Sequence, residues 1–172
     1  MKELPTRKDI RLKGYSYSSA GCYFITICIK DGHEMLGSID VGANCVRPHL
    51  SEYGNVVEAE IAVLSEAYST VEVIKYVIMP NHIHLILSIA NDDGRTQFAP
   101  TANGDGRTQF APTVSRIIKQ FKGSITKKIG SSIWQKSFHD HIIRDEPEYR
   151  RIYQYIDENP ARWSEDVYFP QG

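Results

Sequence analysis

The sequence has no paired cysteines and no long apolar run. Its three cysteines, Cys22, Cys28 and Cys45, are odd in number and lack paired metal-ligand spacing, which argues against a disulfide framework. No segment approaches the roughly 18 apolar residues that a membrane span needs, and the amino terminus is charged where a signal peptide would be apolar. We therefore expect a cytoplasmic protein with reduced thiols and no membrane partner.

A strong excess of charge is also missing. The formal net charge is −1, which argues against a protein that coats nucleic acid through bulk electrostatics, so any DNA contact must come from a local basic patch. One candidate patch is the first thirteen residues, which include Arg11 and Lys13. The other is the acid-free segment 114–128, whose basic residues are Arg116, Lys119, Lys122, Lys127 and Lys128. On charge alone, a solvated helix face is favoured over DNA binding.

The order of predicted elements indicates one domain over residues 1–172. Alternating apolar residues predict strands near 22–30, 71–79, 82–90 and 139–143, whereas three- and four-residue steps predict helices at 51–68 and from 114. A last helix is expected between Asp145, its cap, and Pro160, which stops it. This order matches an α+β, ferredoxin-like split β-α-β fold: a four-stranded antiparallel sheet with two helices on one face and the extra C-terminal helix on the other. Residues 34–50 are expected to form an irregular or hairpin excursion.

Residues 91–112 differ in character from the rest of the chain. The segment DGRTQFAPT occurs at 93–101 and again, unchanged, at 105–113. Two copies are too few for a solenoid, and a polar segment with glycine and proline but no periodicity predicts a mobile loop. Contact between this loop and a substrate is the less favoured alternative.

Two histidines open the predicted strand HIHLILSIA. Because the side chains of a strand alternate between its faces, His82 and His84 share one face and the apolar residues Ile83 and Leu85 share the other. The apolar face predicts the core, and the histidine face is a candidate site. Two surface histidines on an open sheet face are the alternative for an isolated H-x-H pattern.

The last predicted helix carries a tyrosine off its apolar stripe. The stripe consists of Tyr149, Ile152, Tyr153 and Ile156 and is expected to pack on the sheet. Tyr155 lies roughly 110° from the centre of this stripe at about 100° per residue, and Asn159 shares its side. An ordinary tyrosine at the helix border with Asn159 as a terminal cap is the alternative that the helix alone favours.

Six blocks, in order, carry a family resemblance. They are IRLKGYSYSSAGCYFITICIK, SEYG, YVIMPNHIHLIL, IIKQFKGSITKKI, IWQKSFHDHIIR and YRRIYQYIDENPARW. Over nearly its whole length, the insert excepted, the chain resembles the IS200-like tyrosine transposases, especially their REP-associated branch. These proteins are HUH endonucleases, and His82-Ile83-His84 matches the motif of histidine, bulky hydrophobic residue and histidine that gives the superfamily its name.

The resemblance implies metal-dependent cleavage of single-stranded or hairpin DNA and strand transfer through a covalent 5′-phosphotyrosine. Tyr155 falls at the position of the nucleophile. His82, His84 and Asn159 fall at the positions of the metal ligands, with Mg²⁺ or Mn²⁺ as the ion. The basic residues named above, including Arg11 and Lys13, would contact DNA phosphates, and the protein would act at the nucleoid.

These residue types suit that chemistry. A tyrosine hydroxyl has an unperturbed pKa near roughly 10, so it is a poor nucleophile at neutral pH unless the barrier is lowered. Two imidazoles and an amide are neutral ligands, which leave the full charge of the ion to stabilise a scissile phosphate. Nitrogen ligands suit Mn²⁺ better than Mg²⁺, although partly hydrated Mg²⁺ is also compatible.

Other interpretations stay open. His139 and His141 could join His82 and His84 in a four-histidine phosphodiesterase site where water attacks, although we assign them no ligand role. A derivative that binds nucleic acid without cutting it is a second alternative. Some relatives are dimers whose tyrosine helix completes the partner's site and others act as monomers, so the sequence is compatible with both a monomer and a homodimer.

Overall fold

The computed structural model describes residues 21–40, 48–90 and 113–170. In chain order the elements are β1 (Gly21–Cys28), β2 (Gly37–Ser38), β3 (His49–Leu50), α1 (Glu52–Ala67), β4 (Val71–Ile78), β5 (His82–Ile89), α2 (Val114–Ile129), β6 (His139–Ile143) and α3 (Glu146–Glu158). Short 3₁₀ turns cover Lys30–Gly32 and Asn159–Glu165. The insert expected at 91–112 and the basic residues Arg11 and Lys13 lie outside the described residues.

Strands β1, β4, β5 and β6 form one antiparallel sheet in the order β4-β5-β1-β6. This arrangement confirms the predicted ferredoxin-like fold, because β1-α1-β4 and β5-α2-β6 are the two split units and each places its first strand between partners from the other. Strands β2 and β3 pair separately within the excursion expected at 34–50. Among the described residues, none of the helices has the length and apolarity needed to cross a membrane.

The helix limits follow from local capping chemistry. The side chains of Ser51, Thr113 and Asp145 each accept a hydrogen bond from a backbone amide in the first turn of α1, α2 and α3, respectively. Such caps satisfy amides that have no partner within the helix. Helix α2 ends at Gly130, whose φ of 85° is the left-handed conformation that glycine adopts without steric cost.

The main core lies between one face of the sheet and helices α1 and α2. Alternation along the two central strands places Ile25, Ile27, Ile83 and Leu85 on this face, and none of these side chains has exposed surface. Burying each contributes roughly 1.5–3 kcal/mol. A shift of one residue in the pairing register of β5 would turn these apolar side chains away from the core. The burial of the apolar residues therefore holds the histidines between them on the opposite face.

Helix α3 covers part of that opposite face. Ile152 and Ile156 pack there against Ile86 of β5, as the apolar stripe predicts. Tyr153, expected in the same stripe, is 39% exposed, so the prediction of its burial is wrong. Its ring lies under the ammonium group of Lys75 on the edge strand β4, 4.6 Å from the ring centroid, where the side chain remains open to solvent.

Candidate active site

Two imidazoles lie together beneath the end of α3. His82 and His84 are 0% and 2% exposed, and their Nε2 atoms are 3.1 Å apart. Burial lowers the pKa of each imidazole to about 3, and for His84 the neighbouring His82 adds to this shift. Both rings are therefore neutral near pH 7, which is the protonation state that binds a metal ion.

The ring of His82 has a fixed tautomer. Its Nδ1 lies 2.9 Å from Oδ1 of Asn81. The Nδ2 group of Asn81 donates to the carbonyls of Gly32 at 3.2 Å and Tyr168 at 2.7 Å, and carbonyls only accept, so the orientation of the amide is determined. Oδ1 of Asn81 consequently accepts from Nδ1–H of His82, which leaves the lone pair of Nε2 facing the second imidazole.

The partner of His84 is a hydroxyl from the neighbouring strand. The pairing of β1 with β5 sets Thr26 opposite His84, and Oγ1 of Thr26 lies 2.8 Å from Nδ1 of His84. A hydroxyl can donate or accept, so this contact fixes the direction of the ring and permits either tautomer. In both imidazoles the Nδ1 atom is engaged by the protein, and Nε2 is the atom turned toward the candidate site.

Tyr155 reaches the imidazole pair from α3. Its hydroxyl is 3.3 Å from Nε2 of His84, and its ring meets Phe24 edge-on at a centroid distance of 6.1 Å. Burial raises the pKa of the phenol, Asp166 raises it further, and a hydrogen bond from Asn159 lowers it. Tyr155 is 41% exposed, about as much as Tyr153, so contact with the histidine rather than exposure distinguishes the two tyrosines.

Asn159 lies at the end of α3 with one amide atom unpaired. It is 3% exposed, and its Nδ2 group donates to Oδ2 of Asp166 at 2.8 Å. A carboxylate cannot donate, so the opposite atom of the amide is Oδ1, which is buried and has no hydrogen-bond partner among the described residues. The amide of Asn159 is hydrogen-bonded to Asp166, which lies near both neutral imidazoles. Its orphaned carbonyl oxygen and the imidazole nitrogens fit a divalent metal ion, for which both are suitable ligands.

Asp166 is a candidate ligand that the sequence did not reveal. One of its carboxylate oxygens and one ring nitrogen from each of His82 and His84 all lie within 4.8 Å of one another. Its Oδ1 atom accepts from the backbone amide of Tyr168 at 2.8 Å. Asp166 follows the 3₁₀ turn after α3 and belongs to no periodic pattern, so only the return of the chain after Asn159 brings it to the histidines.

A pocket of about 470 Å³ opens beside these groups. Its walls include Tyr155, Asn159 and Asp166 as well as Arg151 and Arg162, whose exposed guanidinium groups lie 3.8 Å from Glu148 and 3.4 Å from Glu158, respectively. The tyrosine is therefore open to solvent and to a substrate on one side, while the imidazoles behind it are enclosed.

The structure does not bring the second histidine pair to the first. His139 is paired with Thr26, which is itself paired with His84, so β1 lies between the two histidines. Among the residues that the structure describes, the donor atoms that lie within 4.8 Å of one another belong to His82, His84 and Asp166, and this group includes neither His139 nor His141. His141 is exposed and lies 2.8 Å from Oε1 of Glu148 at the start of α3.

The predicted basic patch on α2 lies on the opposite side of the sheet from the imidazoles. Lys122 donates to the carbonyls of Gln135 at 2.5 Å and Ser137 at 3.0 Å, and Lys128 pairs with Glu60. These two lysines hold parts of the protein together. The other three members of the patch are exposed: Arg116, Lys119 and Lys127. A role in DNA contact stays a prediction for all five.

Comparisons with known proteins give a consistent set of relatives, although no family model matches the chain. An uncharacterised protein of Haemophilus influenzae is 33% identical over 168 residues, which cover 93% of this chain and 91% of that protein. A second protein of the same organism, named a REP-associated tyrosine transposase, is 26% identical over 155 residues, 85% of this chain and 73% of that one. The solved structure of a REP-associated tyrosine transposase bound to a REP hairpin shares the fold, with a TM-score of 0.59 and 21% identity over 95% of this chain and 74% of the other.

Proposed function

We propose that this chain is a member of the REP-associated branch of the IS200-like tyrosine transposases, to which it is similar in sequence and fold, and that it cuts and rejoins single-stranded DNA through a phosphotyrosine on Tyr155. One observation carries the proposal: the hydroxyl of Tyr155 is 3.3 Å from Nε2 of His84. His84 is one of the two buried imidazoles that lie together in the site. Its relatives include a transposase bound to a REP hairpin, so we propose hairpin or repetitive palindromic DNA as the substrate.

In the proposed reaction the phenol oxygen of Tyr155 forms a bond to the scissile phosphorus, and the bond from phosphorus to the 3′ oxygen breaks. The phenol gives up one proton, and the leaving 3′ oxygen ends as a hydroxyl, so the step is balanced. The product is a diester between the tyrosine and the 5′ end of the DNA. Because one phosphodiester replaces another, the same or another 3′-hydroxyl can reverse the step without ATP.

The surroundings of the phenol explain why the chain would need a metal ion. Burial and Asp166 raise the pKa of Tyr155, so the phenol is protonated near pH 7 and is a weak nucleophile. The groups that would hold Mg²⁺ or Mn²⁺ are Nε2 of His82, Nε2 of His84 and Oδ1 of Asn159. A bound divalent ion would polarise the phosphate and stabilise the negative charge that develops on it.

The proposed DNA contacts extend beyond the reacting groups. Arg151 and Arg162 line the pocket beside Tyr155 and are suited to hold phosphates next to the cleaved bond. The basic residues of α2, together with Arg11 and Lys13, are proposed to contact phosphates elsewhere on the hairpin, since α2 lies across the sheet from Tyr155. The REP-associated branch includes monomers, and we propose that the phenol attacks within its own subunit, because Tyr155 and His84 of one chain already meet.

The test is formation of a covalent complex with DNA. The full chain is incubated with labelled single-stranded hairpin DNA from the flanks of its own gene, with Mn²⁺ or Mg²⁺, and scored for a conjugate that survives denaturation. Tyr155→Phe should abolish the conjugate. Tyr153→Phe is the matched control, because Tyr153 lies on the same helix with nearly the same exposure, and it should form conjugate at the wild-type level. A conjugate that persists in Tyr155→Phe would refute the proposal.

A further inference from the structure

We propose that Asp166 is a fourth ligand of the ion held by His82, His84 and Asn159. The inference deepens the proposed function and rests on it for the presence of a divalent ion. It assigns a role to a residue outside the H-x-H motif and the tyrosine helix.

The distances among the donor atoms support direct ligation. A carboxylate oxygen of Asp166 and one ring nitrogen from each histidine all lie within 4.8 Å of one another. Ligand atoms at about 2.0–2.2 Å from a common ion are separated by about 3–4.4 Å, so small adjustments bring all three atoms to one ion. Both imidazoles are buried and Asp166 is half-buried, so the carboxylate is the negative group placed to neutralise an ion in this enclosed position.

The carboxylate of Asp166 is held in place by two hydrogen bonds. Oδ2 accepts from Nδ2 of Asn159 and Oδ1 accepts from the backbone amide of Tyr168, each at 2.8 Å. Each oxygen of an ionised carboxylate can accept more than one partner, so both keep a lone pair for an ion. The bond to Asn159 also turns that amide so that its Oδ1 atom is the free one. Asp166 therefore orients one oxygen ligand and supplies another.

A fourth, anionic ligand changes the expected behaviour of the ion. The three ligands identified in the sequence are neutral and leave a charge of +2, whereas Asp166 reduces the net charge of the cluster to +1. Two nitrogen and two oxygen ligands also make the site more favourable to Mg²⁺ than imidazoles and an amide alone, because carboxylate oxygen suits this ion. Removal of the carboxylate should therefore weaken Mg²⁺ binding more than Mn²⁺ binding.

The test compares ion affinity in the full chain without DNA, by calorimetric titration with Mn²⁺ and with Mg²⁺. Asp166→Asn keeps an oxygen that can accept from Asn159 but removes the charge. The matched control is Glu165→Gln, which removes the same charge from the adjacent exposed residue in the same pocket. We expect Asp166→Asn to weaken Mn²⁺ binding at least tenfold and Mg²⁺ binding further, whereas Glu165→Gln should stay within about twofold of the wild type.

If Asp166→Asn is less stable than the wild type, thermal unfolding with increasing Mn²⁺ still tests the inference. The quantity compared is the rise in Tm that Mn²⁺ causes in each variant, relative to the same variant without the ion. An Mn²⁺-dependent rise in Tm equal to that of the wild type would overturn the inference. So would Mn²⁺ affinity in Asp166→Asn within twofold of the wild type, because Asp166 would then only position Asn159. Formation of the covalent conjugate separates the two proposals. If the wild type forms the conjugate but Asp166→Asn does not change the affinity for the ion, only the fourth ligand is refuted. If Asp166→Asn weakens ion binding but the wild type forms no conjugate, only the proposed function is refuted.

Discussion

The phenol oxygen of Tyr155 lies 3.3 Å from Nε2 of His84, although the two residues are 71 positions apart in the chain. Two structural periods produce this contact. The period of two along β5 places His84 on the face opposite the main core, and the helical period of α3 buries Ile152 and Ile156 on that same face. Tyr155 lies outside this apolar stripe, so its ring extends along the border of the covered region to the imidazoles.

The packing of Ile156, the neighbour of Tyr155 in α3, should contribute to the stability of the protein. Ile156→Ala removes a side chain that is 1% exposed and packs against Ile86. We expect the free energy of unfolding to fall by roughly 2–5 kcal/mol, because the change leaves a cavity under the helix. Val63→Ala, at an exposed position of α1, should change it by less than about 0.5 kcal/mol. Urea denaturation of both variants measures the difference, and equal midpoints would contradict the packing described for α3.

Asn81 should control both the stability of the protein and its affinity for an ion. Asn81→Ala removes the acceptor for His82 and leaves the carbonyls of Gly32 and Tyr168 without their donor. We expect a loss of roughly 1–3 kcal/mol in stability and a 10- to 100-fold loss in Mn²⁺ affinity, since the tautomer of His82 is no longer fixed.

The matched control for Asn81→Ala is Asn55→Ala, at an exposed position of α1, which should leave the Mn²⁺ affinity unchanged. Nitrogen NMR of the imidazoles reads the tautomer of His82 directly. A variant of Asn81 that keeps the proton of His82 on Nδ1 and binds Mn²⁺ normally would contradict the role described for this amide.

The buried imidazoles predict a loss of stability in mild acid. Burial lowers the pKa of His82 and His84 to about 3 in the folded protein, compared with roughly 6.5 in the unfolded chain. The unfolded state therefore binds more protons between pH 6.5 and pH 3, and folding becomes less favourable as the pH falls through this range. From pH 7 to pH 5 each imidazole accounts for about 2 kcal/mol.

Denaturation in urea at both pH values, without added metal, measures this dependence on pH. A variant in which both histidines are replaced by glutamine should have a smaller loss between pH 7 and pH 5 than the wild type. An equal loss in the two proteins would show that other groups cause the acid sensitivity.

The sequence was sufficient to predict the fold because each element carries its own local signal. The limits of β6 agree with the predicted 139–143, and Asp145 and Asn159 bracket α3 as expected. The side of the sheet on which His82 and His84 lie follows from strand alternation alone. The proposed roles of Tyr155 and Asn159 came from the family resemblance, and helical geometry independently placed these two residues on one side of α3.

The rest of the site depends on contacts between segments that are distant in the sequence. Asn81 touches Gly32 and Tyr168 at once, and no period relates these three positions. Asp166 joins the histidines only because the chain turns back after Asn159. Tyr153 shows the limit of the helical pattern: it shares the spacing of the buried residues, but it lies at the edge of the sheet, where Lys75 covers its ring.

The central claim is that Tyr155 is the residue that becomes joined to DNA, and mass spectrometry tests it most directly. After reaction with hairpin DNA and Mn²⁺, the conjugate is digested with nuclease and protease, and the peptide that retains a nucleotide is sequenced. We predict that the 5′-phosphate is attached to Tyr155 and to no other residue. Attachment to another residue such as Tyr153, or cleaved DNA with no modified peptide, would contradict the claim.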